Sequence, residues 1–234
     1  GFLVFPAQFL DEEQSAAFGE RFGPLEFGGA SLTNRRRAED GSRRGVGFDI
    51  DSQVMRTNIG NEAWHTDSSY KPISSKCAML SAVIVPDDGG ETELADTRAG
   101  YAALDHATRD RIGHLSAYHS NQYSQANDIG DFPPTDHTGP YASAYHGEAY
   151  RRPLVKVHPE TGVKNLFIGR HAFGIPGLTR SESRELLAHL LEVTVSDPAR
   201  TYLHHWQPGD TMIWDNRAVL HRARPYDYTQ PRHL

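Results

Sequence analysis

The sequence has few cysteines, no long apolar run and no excess of positive charge. Cys77 is the one cysteine among 234 residues, which excludes an intrachain disulfide and permits a reducing compartment. No apolar run approaches the roughly 18 residues of a membrane-spanning helix. Lys and Arg number 24 against 30 Asp and Glu, and this net charge of −6 argues against a nucleic-acid partner. We expect a cytoplasmic protein that binds neither nucleic acid nor membrane and that forms a homo-oligomer.

Histidine, in contrast, is plentiful, with 13 residues. One of them stands out because a carboxylate lies close to it in the sequence. His65 is followed two positions later by Asp67, in the stretch N-E-A-W-H-T-D at 61–67. On a strand this spacing points an imidazole and a carboxylate to one face. Two such groups are two thirds of a two-histidine, one-carboxylate facial triad, which leaves three positions open on Fe(II). The third ligand must come from elsewhere, and His221 in the run W-D-N-R-A-V-L-H is a candidate.

Short apolar runs between turn residues predict a mostly β domain with flanking helices. Asp11, Asp105 and Thr179 are predicted helix N-caps, the last within a capping box. The stretch 116–152 is rich in Asn, Gln, Gly, Pro and Tyr without a period, so we predict a lid insertion there. We predict strands at 2–5, 54–59, 78–86, 91–96, 154–158, 165–168, 201–206, 211–215 and 219–222, and helices at 12–22, 98–112 and 180–193.

The organisation is that of one domain over residues 1–234. The chain begins within strand-like sequence at 1–5 and ends abruptly at 232–234, so we expect a domain that is incomplete at both termini. The open mouth of a barrel or sandwich is a natural place for a small-molecule site.

Several motifs, in one order along nearly the whole chain, resemble the taurine dioxygenase superfamily of Fe(II)- and 2-oxoglutarate-dependent oxygenases. The likeness is greatest to members that act on aryloxyalkanoates. The motifs are residues 61–69, 79–83, 89–93, 166–169 and 214–221, with Arg232 eleven positions after His221. The resemblance implies a double-stranded β-helix, that is, a jelly roll with a cupin-like core.

The resemblance also implies that His65, Asp67 and His221 hold Fe(II). Halogenating relatives replace the carboxylate by a small residue, so Asp67 favours hydroxylation. For the co-substrate 2-oxoglutarate it implies Thr92 and Arg232 at the far carboxylate. Arg supplies a planar fork and Thr a hydroxyl donor for that buried anion. The remaining residues implied for the 2-oxoglutarate pocket are Asn61 and Trp214.

Substrate residues are less well indicated by the sequence. Many relatives act on small anions, which require cationic or donor side chains. Each candidate could equally be a surface or packing residue. A further Arg that touches substrate in relatives would fall at position 236, past the 234 residues of this chain. The candidates are Arg56, Lys71 and His171, with His119 and Asn121 from the predicted lid, and Tyr70 and Phe173 for an aromatic ring.

The leading hypothesis is an Fe(II)- and 2-oxoglutarate-dependent dioxygenase that uses O2 and releases succinate and CO2. We favour an aryloxyalkanoate-like carboxylate as substrate, hydroxylated in a way that leads to ether cleavage. Alternatives are a sulfonate such as taurine, or an amino-acid-like or natural-product substrate. Other classes are a non-catalytic metal-binding β-barrel sensor and a zinc hydrolase of cupin-like shape. Thr92 and Arg232 argue against the hydrolase, because hydrolysis needs no clamp for an oxo acid.

Overall fold

The computed structural model describes residues 1–26, 36–37, 43–44, 59–129 and 149–234. Within them, strands predominate and helices lie beside the sheets, as the sequence predicts. No helix in these ranges is long and apolar enough to cross a membrane. The helices are α1 (Glu12–Glu20), α2 (Thr97–Ala103), α3 (His106–Ile112), α4 (Asn121–Ile129) and α5 (Arg180–Val195). The strands are β1 (Phe2–Phe5), β2 (Arg36–Arg37), β3 (Arg43–Arg44), β4 (Cys77–Ser81), β5 (Thr92–Asp96), β6 (Ser116–His119), β7 (Tyr150–Pro153), β8 (Val155–Val157), β9 (Lys164–Leu166), β10 (Ala172–Phe173), β11 (Thr201–His204), β12 (Thr211–Asp215) and β13 (Val219–Ala223).

The strands pair antiparallel in small sheets that join distant parts of the chain. One sheet has the order β1-β12-β4, a second β11-β5-β13 and a third β10-β6-β7. The remaining pairs in the described ranges are β2-β3 and the hairpin β8-β9. Because the first two sheets combine strands from both ends of the chain, residues far apart in sequence meet on their faces.

Two buried apolar clusters pack against these sheets. The larger contains Leu186 and Leu190 of α5, and the smaller contains Trp206 and Trp214. Strand β13 lies between them, since Leu220 packs in the first cluster and Val219 in the second. Side chains alternate along a strand. His221 therefore points to the same side as Val219, toward the tryptophan cluster.

The predicted helix starts are confirmed by hydrogen bonds of their caps. Asp11 Oδ1 accepts from the Gln14 amide at 2.8 Å, and Asp105 Oδ1 accepts from the Thr108 amide at 2.9 Å. At α5 the Thr179 hydroxyl accepts from the Glu182 amide at 3.2 Å, and the Glu182 carboxylate accepts from the Thr179 amide at 2.7 Å. Local cap chemistry thus determines these boundaries.

The predicted strand 54–59 is wrong at Ile59, the one residue of that range that the structure describes. Residues 54–58 lie outside the described ranges, and Ile59 leads into the 3-10 turn Gly60–Glu62. His65 alone pairs with β13, through reciprocal backbone hydrogen bonds with His221 of 2.9 Å each. Ser68 then takes a φ of 52° and turns the chain away. Asp67 consequently lies in a turn, not on a strand.

The predicted lid of 116–152 begins and ends in regular structure. Its first residues form β6, its last form part of β7, and these two strands pair with each other. Helix α4 follows β6, and residues 130–148 lie outside the described ranges. The strand was missed because only Ala117 and His119 alternate inward over four residues. A lid within this stretch stays a prediction.

Candidate active site

Three predicted metal ligands meet beside β13. The ring centroids of His65 and His221 are 4.1 Å apart. Asp67 Oδ1 lies 3.7 Å from Nε2 of His65 and 3.5 Å from Nε2 of His221. One potential ligand atom from each residue lies within 4.8 Å of the other two. The side chains therefore form a cluster of the size that one metal ion requires.

The charge states of this cluster also fit a metal ion. Burial lowers the pKa of His65 and of His221 to about 3, so both rings are neutral at pH 7. Nδ1–H of His65 donates to the Ala63 carbonyl at 2.7 Å, which leaves the lone pair on Nε2 for a ligand. Burial raises the pKa of Asp67, although the neighbouring His65 and Asn216 lower it. Two neutral imidazoles and one carboxylate are the facial-triad donors for Fe(II).

The run 214–217, at the end of β12 and just after it, supports His221 from one side. The indole of Trp214 is buried, with its centroid 4.7 Å from that of His221. Its Nε1–H donates to Oδ1 of buried Asn216 at 3.0 Å. Asp215 and Arg217 alternate with these residues and bond to each other instead, with Arg217 Nη2 2.8 Å from Asp215 Oδ2. The W-D-N-R motif therefore divides into a site-facing pair and an ion pair.

The residues implied for 2-oxoglutarate converge on Gly90. Nη2 of Arg232 donates to the Gly90 carbonyl at 3.0 Å, and Thr92 follows two residues later on β5. Gly90 has a φ of 71°, and a Cβ there would lie 3.2 Å from Arg232 Nε. Burial lowers the pKa of Arg232, whereas Tyr226 and Tyr228 raise it. The half-buried Arg232 guanidinium thus bonds to the Gly90 carbonyl, two residues before the buried Thr92 hydroxyl, and both groups could serve an anionic ligand.

Asn61, the other implied pocket residue, lies in the 3-10 turn Gly60–Glu62, which packs against β13. It is half-buried, four residues before His65. The structure thus places it near the histidine cluster, although its predicted contact with 2-oxoglutarate stays a prediction.

Two predicted substrate residues lie next to the cluster. The His171 ring centroid is 6.0 Å from that of His65 and 4.7 Å from that of Tyr70. The Ser124 hydroxyl donates to the Asn121 carbonyl at 2.9 Å, so Nδ1–H of His171 donates to Ser124 Oγ at 2.8 Å. Burial lowers the pKa of His171 well below its usual range. His171 is therefore a neutral ring and supplies no positive charge for an anionic substrate.

The other predicted substrate residues have partners of their own in the described ranges. Nζ of Lys71 lies 2.6 Å from Oε1 of Glu26, so its ammonium is already paired. His119 is fully buried and bonds to Ser69 Oγ at 3.0 Å. Phe173 stacks on Tyr123 at 4.1 Å, Asn121 is buried, and Arg56 lies outside the described residues.

Arg170 is a cation near the cluster that the sequence did not reveal. Its charge lowers the pKa of His65 and of His171, after the larger effect of burial. Its backbone N–H donates to the Trp64 carbonyl at 2.9 Å. The guanidinium lies against Gly60, where any Cβ would overlap it. The one available signal was its position directly before His171.

Comparison with known proteins agrees with this geometry. The family described as "Taurine catabolism dioxygenase TauD, TfdA family" matches residues 1–234. A (S)-phenoxypropionate/alpha-ketoglutarate-dioxygenase of Sphingobium herbicidovorans is 48% identical over 232 residues, which cover 98% of this chain and 78% of the relative. An alpha-ketoglutarate-dependent 2,4-dichlorophenoxyacetate dioxygenase of Cupriavidus pinatubonensis is 39% identical over 241 residues, covering 99% of this chain and 82% of the relative.

A solved structure gives the same result at the level of the fold. The crystal structure of AAD-2 in complex with Mn(II) and N-oxalylglycine matches with a TM-score of 0.85 and 36% identity, over 99% of this chain and 79% of that one. The predicted enzyme class is confirmed: a 2-oxoglutarate-dependent non-haem iron dioxygenase that uses Fe(II), 2-oxoglutarate and O2. With its histidine and aspartate cluster in place and the whole chain matched, this protein belongs to the TauD, TfdA family of taurine catabolism dioxygenases.

Proposed function

We propose that this dioxygenase hydroxylates an aryloxyalkanoate-like carboxylate at the carbon that bears the aryloxy oxygen. One observation carries the proposal: the His65–Asp67–His221 cluster occurs in a chain 48% identical to a phenoxypropionate dioxygenase. When bound, Fe(II) with 2-oxoglutarate and O2 supplies an oxidation that places one oxygen atom in the substrate and one in succinate, with loss of CO2. The hydroxylated ether then collapses to a phenol and a 2-oxo acid.

We infer that His65, Asp67 and His221 hold the iron and that Thr92 and Arg232 hold the far carboxylate of 2-oxoglutarate. Two observations support this: Arg232 bonds to the Gly90 carbonyl, two residues before Thr92, and His65 pairs with His221 of β13. Arg232 offers a planar pair of donors to a carboxylate. In the same proposal Asn61 and Trp214 line the pocket.

For the substrate carboxylate we propose Arg170 as the cation. The support is its position, because the charge of Arg170 lowers the pKa of both His65 and His171 after the larger effect of burial, and its backbone N–H donates to the Trp64 carbonyl beside His65. Tyr70 packs its ring edge-on against His171 and offers an aromatic surface for the aryl group. Together these residues would orient the C–H bond next to the ether oxygen toward the metal.

The finer predictions about architecture belong to the same proposal. We infer that the sheets β1-β12-β4 and β11-β5-β13 are parts of a double-stranded β-helix, as in cupin-like enzymes. The antiparallel pairing of strands from both chain ends supports this inference. A single domain with a lid in 116–152, a homo-oligomer and a cytoplasmic location likewise stay predictions.

The test is an anaerobic titration of Fe(II)-loaded protein with 2-oxoglutarate, followed by turnover with chosen substrates. A visible charge-transfer band should form on titration. On addition of O2, (R)- and (S)-2-phenoxypropionate and phenoxyacetate should yield succinate and phenol in equal amounts. Succinate with taurine alone would favour the sulfonate alternative. Iron binding without succinate from any acid would contradict the proposal and favour a sensor.

A further inference from the structure

Thr92 uses its hydroxyl differently from two other buried threonines, Thr66 and Thr194. Its Oγ1 accepts a hydrogen bond from Nε1–H of Trp206 at 3.0 Å, and both residues are buried. In the described part of the chain, Trp206 is the one hydrogen-bond partner of this hydroxyl. The hydroxyls of buried Thr66 and Thr194 instead donate to backbone carbonyls, at 3.4 and 2.8 Å. Thr92 is therefore engaged as an acceptor, while its own proton has no protein acceptor in these ranges.

The direction of the Thr92 proton follows from hydrogen-bond chemistry. An indole N–H is only a donor, whereas a hydroxyl has one proton and two lone pairs. Because Trp206 occupies one lone pair of Oγ1, the Thr92 proton cannot point back toward the indole. Threonine is also stiff about χ1, since its Cβ is branched. The hydroxyl is thus held with its proton directed away from Trp206.

The space on that side belongs to the co-substrate pocket. In the β5–β13 pair, Thr92 lies opposite Ala223 and Leu94 lies opposite His221. Residues two apart on a strand share a face, so Thr92 and His221 face the same side of this pair. Arg232 reaches the same region through its bond to the Gly90 carbonyl. An acceptor placed between Arg232 and the His221 face would meet the Thr92 proton.

We propose that Trp206 is a positioning residue for 2-oxoglutarate: its indole N–H holds the Thr92 hydroxyl as a donor to the far carboxylate. The inference rests on the proposed function and deepens it. The indole is supported in turn by His204, whose ring packs edge-on at 4.5 Å and which lies opposite Thr92 on β11. A donor oriented before binding costs no reorganisation when the anion arrives. Trp206 therefore favours co-substrates that carry a second carboxylate.

The first test compares Trp206→Phe with wild type in the anaerobic charge-transfer titration. The variant keeps an aromatic ring and removes the N–H, so the affinity for 2-oxoglutarate should fall about tenfold, as for the loss of an organised bond to a charged group. Affinity for 2-oxopentanoate, which lacks the far carboxylate, should be unchanged. In turnover the KM for 2-oxoglutarate should rise while kcat at saturation stays constant. Tyr101→Phe is the control, because it keeps an aromatic ring and loses a hydroxyl on α2, away from Thr92 and Trp206.

A double-mutant cycle separates positioning from packing. Thr92→Val should weaken 2-oxoglutarate binding at least as much as Trp206→Phe, and adding Trp206→Phe to it should cause no further loss. An equal further loss in the Thr92→Val background would show that Trp206 acts by packing and would overturn the inference. Thr194→Val, which removes a buried hydroxyl in α5, controls for the stability cost of the substitution.

A measurement on the wild-type chain covers the case in which Trp206→Phe does not fold. The protein has three tryptophans, so its indole N–H signals are easily assigned by NMR. In the Zn(II)-loaded protein, N-oxalylglycine should shift the Trp206 indole signal, and an unmoved signal would contradict the inference. Absence of any charge-transfer band in iron-loaded wild type would instead overturn the proposed function. A normal wild-type band with an unaltered Trp206→Phe titration overturns the role of Trp206 alone.

Discussion

Two aspartates near β13, Asp67 and Asp215, each lie beside histidine, yet their surroundings are opposite. Asp215 accepts hydrogen bonds from Arg217 Nη2 at 2.8 Å and from His158 Nε2 at 2.9 Å. Burial alone would raise its pKa, but these bonds lower it to about 2. Asp67 lies 3.5 and 3.7 Å from two neutral histidines, too far for good hydrogen bonds, and burial raises its pKa.

The difference separates a structural carboxylate from a ligand. Asp215 has its cation within the protein, in Arg217, and is therefore satisfied. Asp67 has neutral imidazoles and the Asn216 amide nearby but no paired arginine or lysine among the described residues, so a bound cation would supply the charge that stabilises it. A divalent ion supplies that charge and uses the two free Nε2 lone pairs as well. A carboxylate that lies beside two neutral histidines and has no arginine or lysine partner thus marks the metal centre better than one that is paired with arginine.

The largest expected effect is at Asp67. Asp67→Ala removes one of three protein ligands, so we expect iron affinity to fall and succinate formation to drop by about a thousandfold or more. Asp215→Asn is the matched control, and it should keep turnover within about threefold of wild type under conditions where it is folded. Iron binding by calorimetry and succinate release measure the two quantities. Substantial turnover in Asp67→Ala would contradict the role of Asp67 as a metal ligand.

Two arginines extend the comparison to the co-substrate. Arg217 is paired with Asp215 and Glu160, whereas Arg232 is proposed to pair with the far carboxylate of 2-oxoglutarate. Arg232→Ala should weaken 2-oxoglutarate binding by about thirtyfold or more, because truncating one partner of a desolvated ion pair costs roughly 2–5 kcal/mol. Arg217→Ala should lower stability and leave that affinity unaltered. If Arg232→Ala and wild type bind 2-oxoglutarate equally well, Arg232 does not bind its far carboxylate.

A smaller effect is expected at the substrate cations. Arg170→Met should raise the KM for (S)-2-phenoxypropionate about tenfold through loss of a charged hydrogen bond, without altering 2-oxoglutarate binding. Lys71→Met should raise the same KM less than about threefold, because Lys71 is already paired with Glu26. Steady-state kinetics with saturating 2-oxoglutarate make the measurement. A larger increase in KM for Lys71→Met than for Arg170→Met would indicate that Lys71 binds the substrate carboxylate.

The smallest expected effects concern stability of the metal-free protein. A carboxyl with a lowered folded pKa stabilises the fold above its unfolded pKa of about 3.9, and the gain is lost as pH falls toward 2. Asp215→Asn should therefore cost about 1–2 kcal/mol at pH 7 and progressively less below pH 4. A raised pKa has the opposite sign, so Asp67→Asn should increase the unfolding temperature at pH 7. Thermal denaturation from pH 3 to 7 measures both changes, and shifts of the same sign would refute the distinction.

Local signals accounted for the parts of the fold that were predicted correctly. The caps Asp11, Asp105 and Thr179 bond within three residues of themselves, so their chemistry is visible in the sequence. Strand β6 was missed because its four residues mix Ser, Tyr and His, and only pairing with β7 makes them a strand. The strand predicted at 54–59 is wrong at Ile59, and the H-x-D spacing does not reveal that only His65 of the three residues pairs with β13.

The site was predicted to the extent that its residues recur in motifs. His65, Asp67 and His221 could be named from spacing and resemblance, and the structure brings them together. Arg170 and Trp206 could not, because an Arg before a His and a Trp near a turn have many structural roles. The sequence made Lys71 a candidate substrate cation, but in the structure its ammonium is paired with Glu26. Whether a charge is available depends on what lies next to it.

The sequence by itself determined the helix starts, the mostly β class and the ligand types, because caps, short apolar runs and H-x-D are local. The tertiary structure decided which carboxylate faces the histidines and which is neutralised by arginine. It also decided that the Thr92 hydroxyl accepts a hydrogen bond from Trp206, 114 positions away, and that its proton has no acceptor among the described residues. Desolvation and pairing set these properties, and both depend on neighbours that only the folded chain brings together.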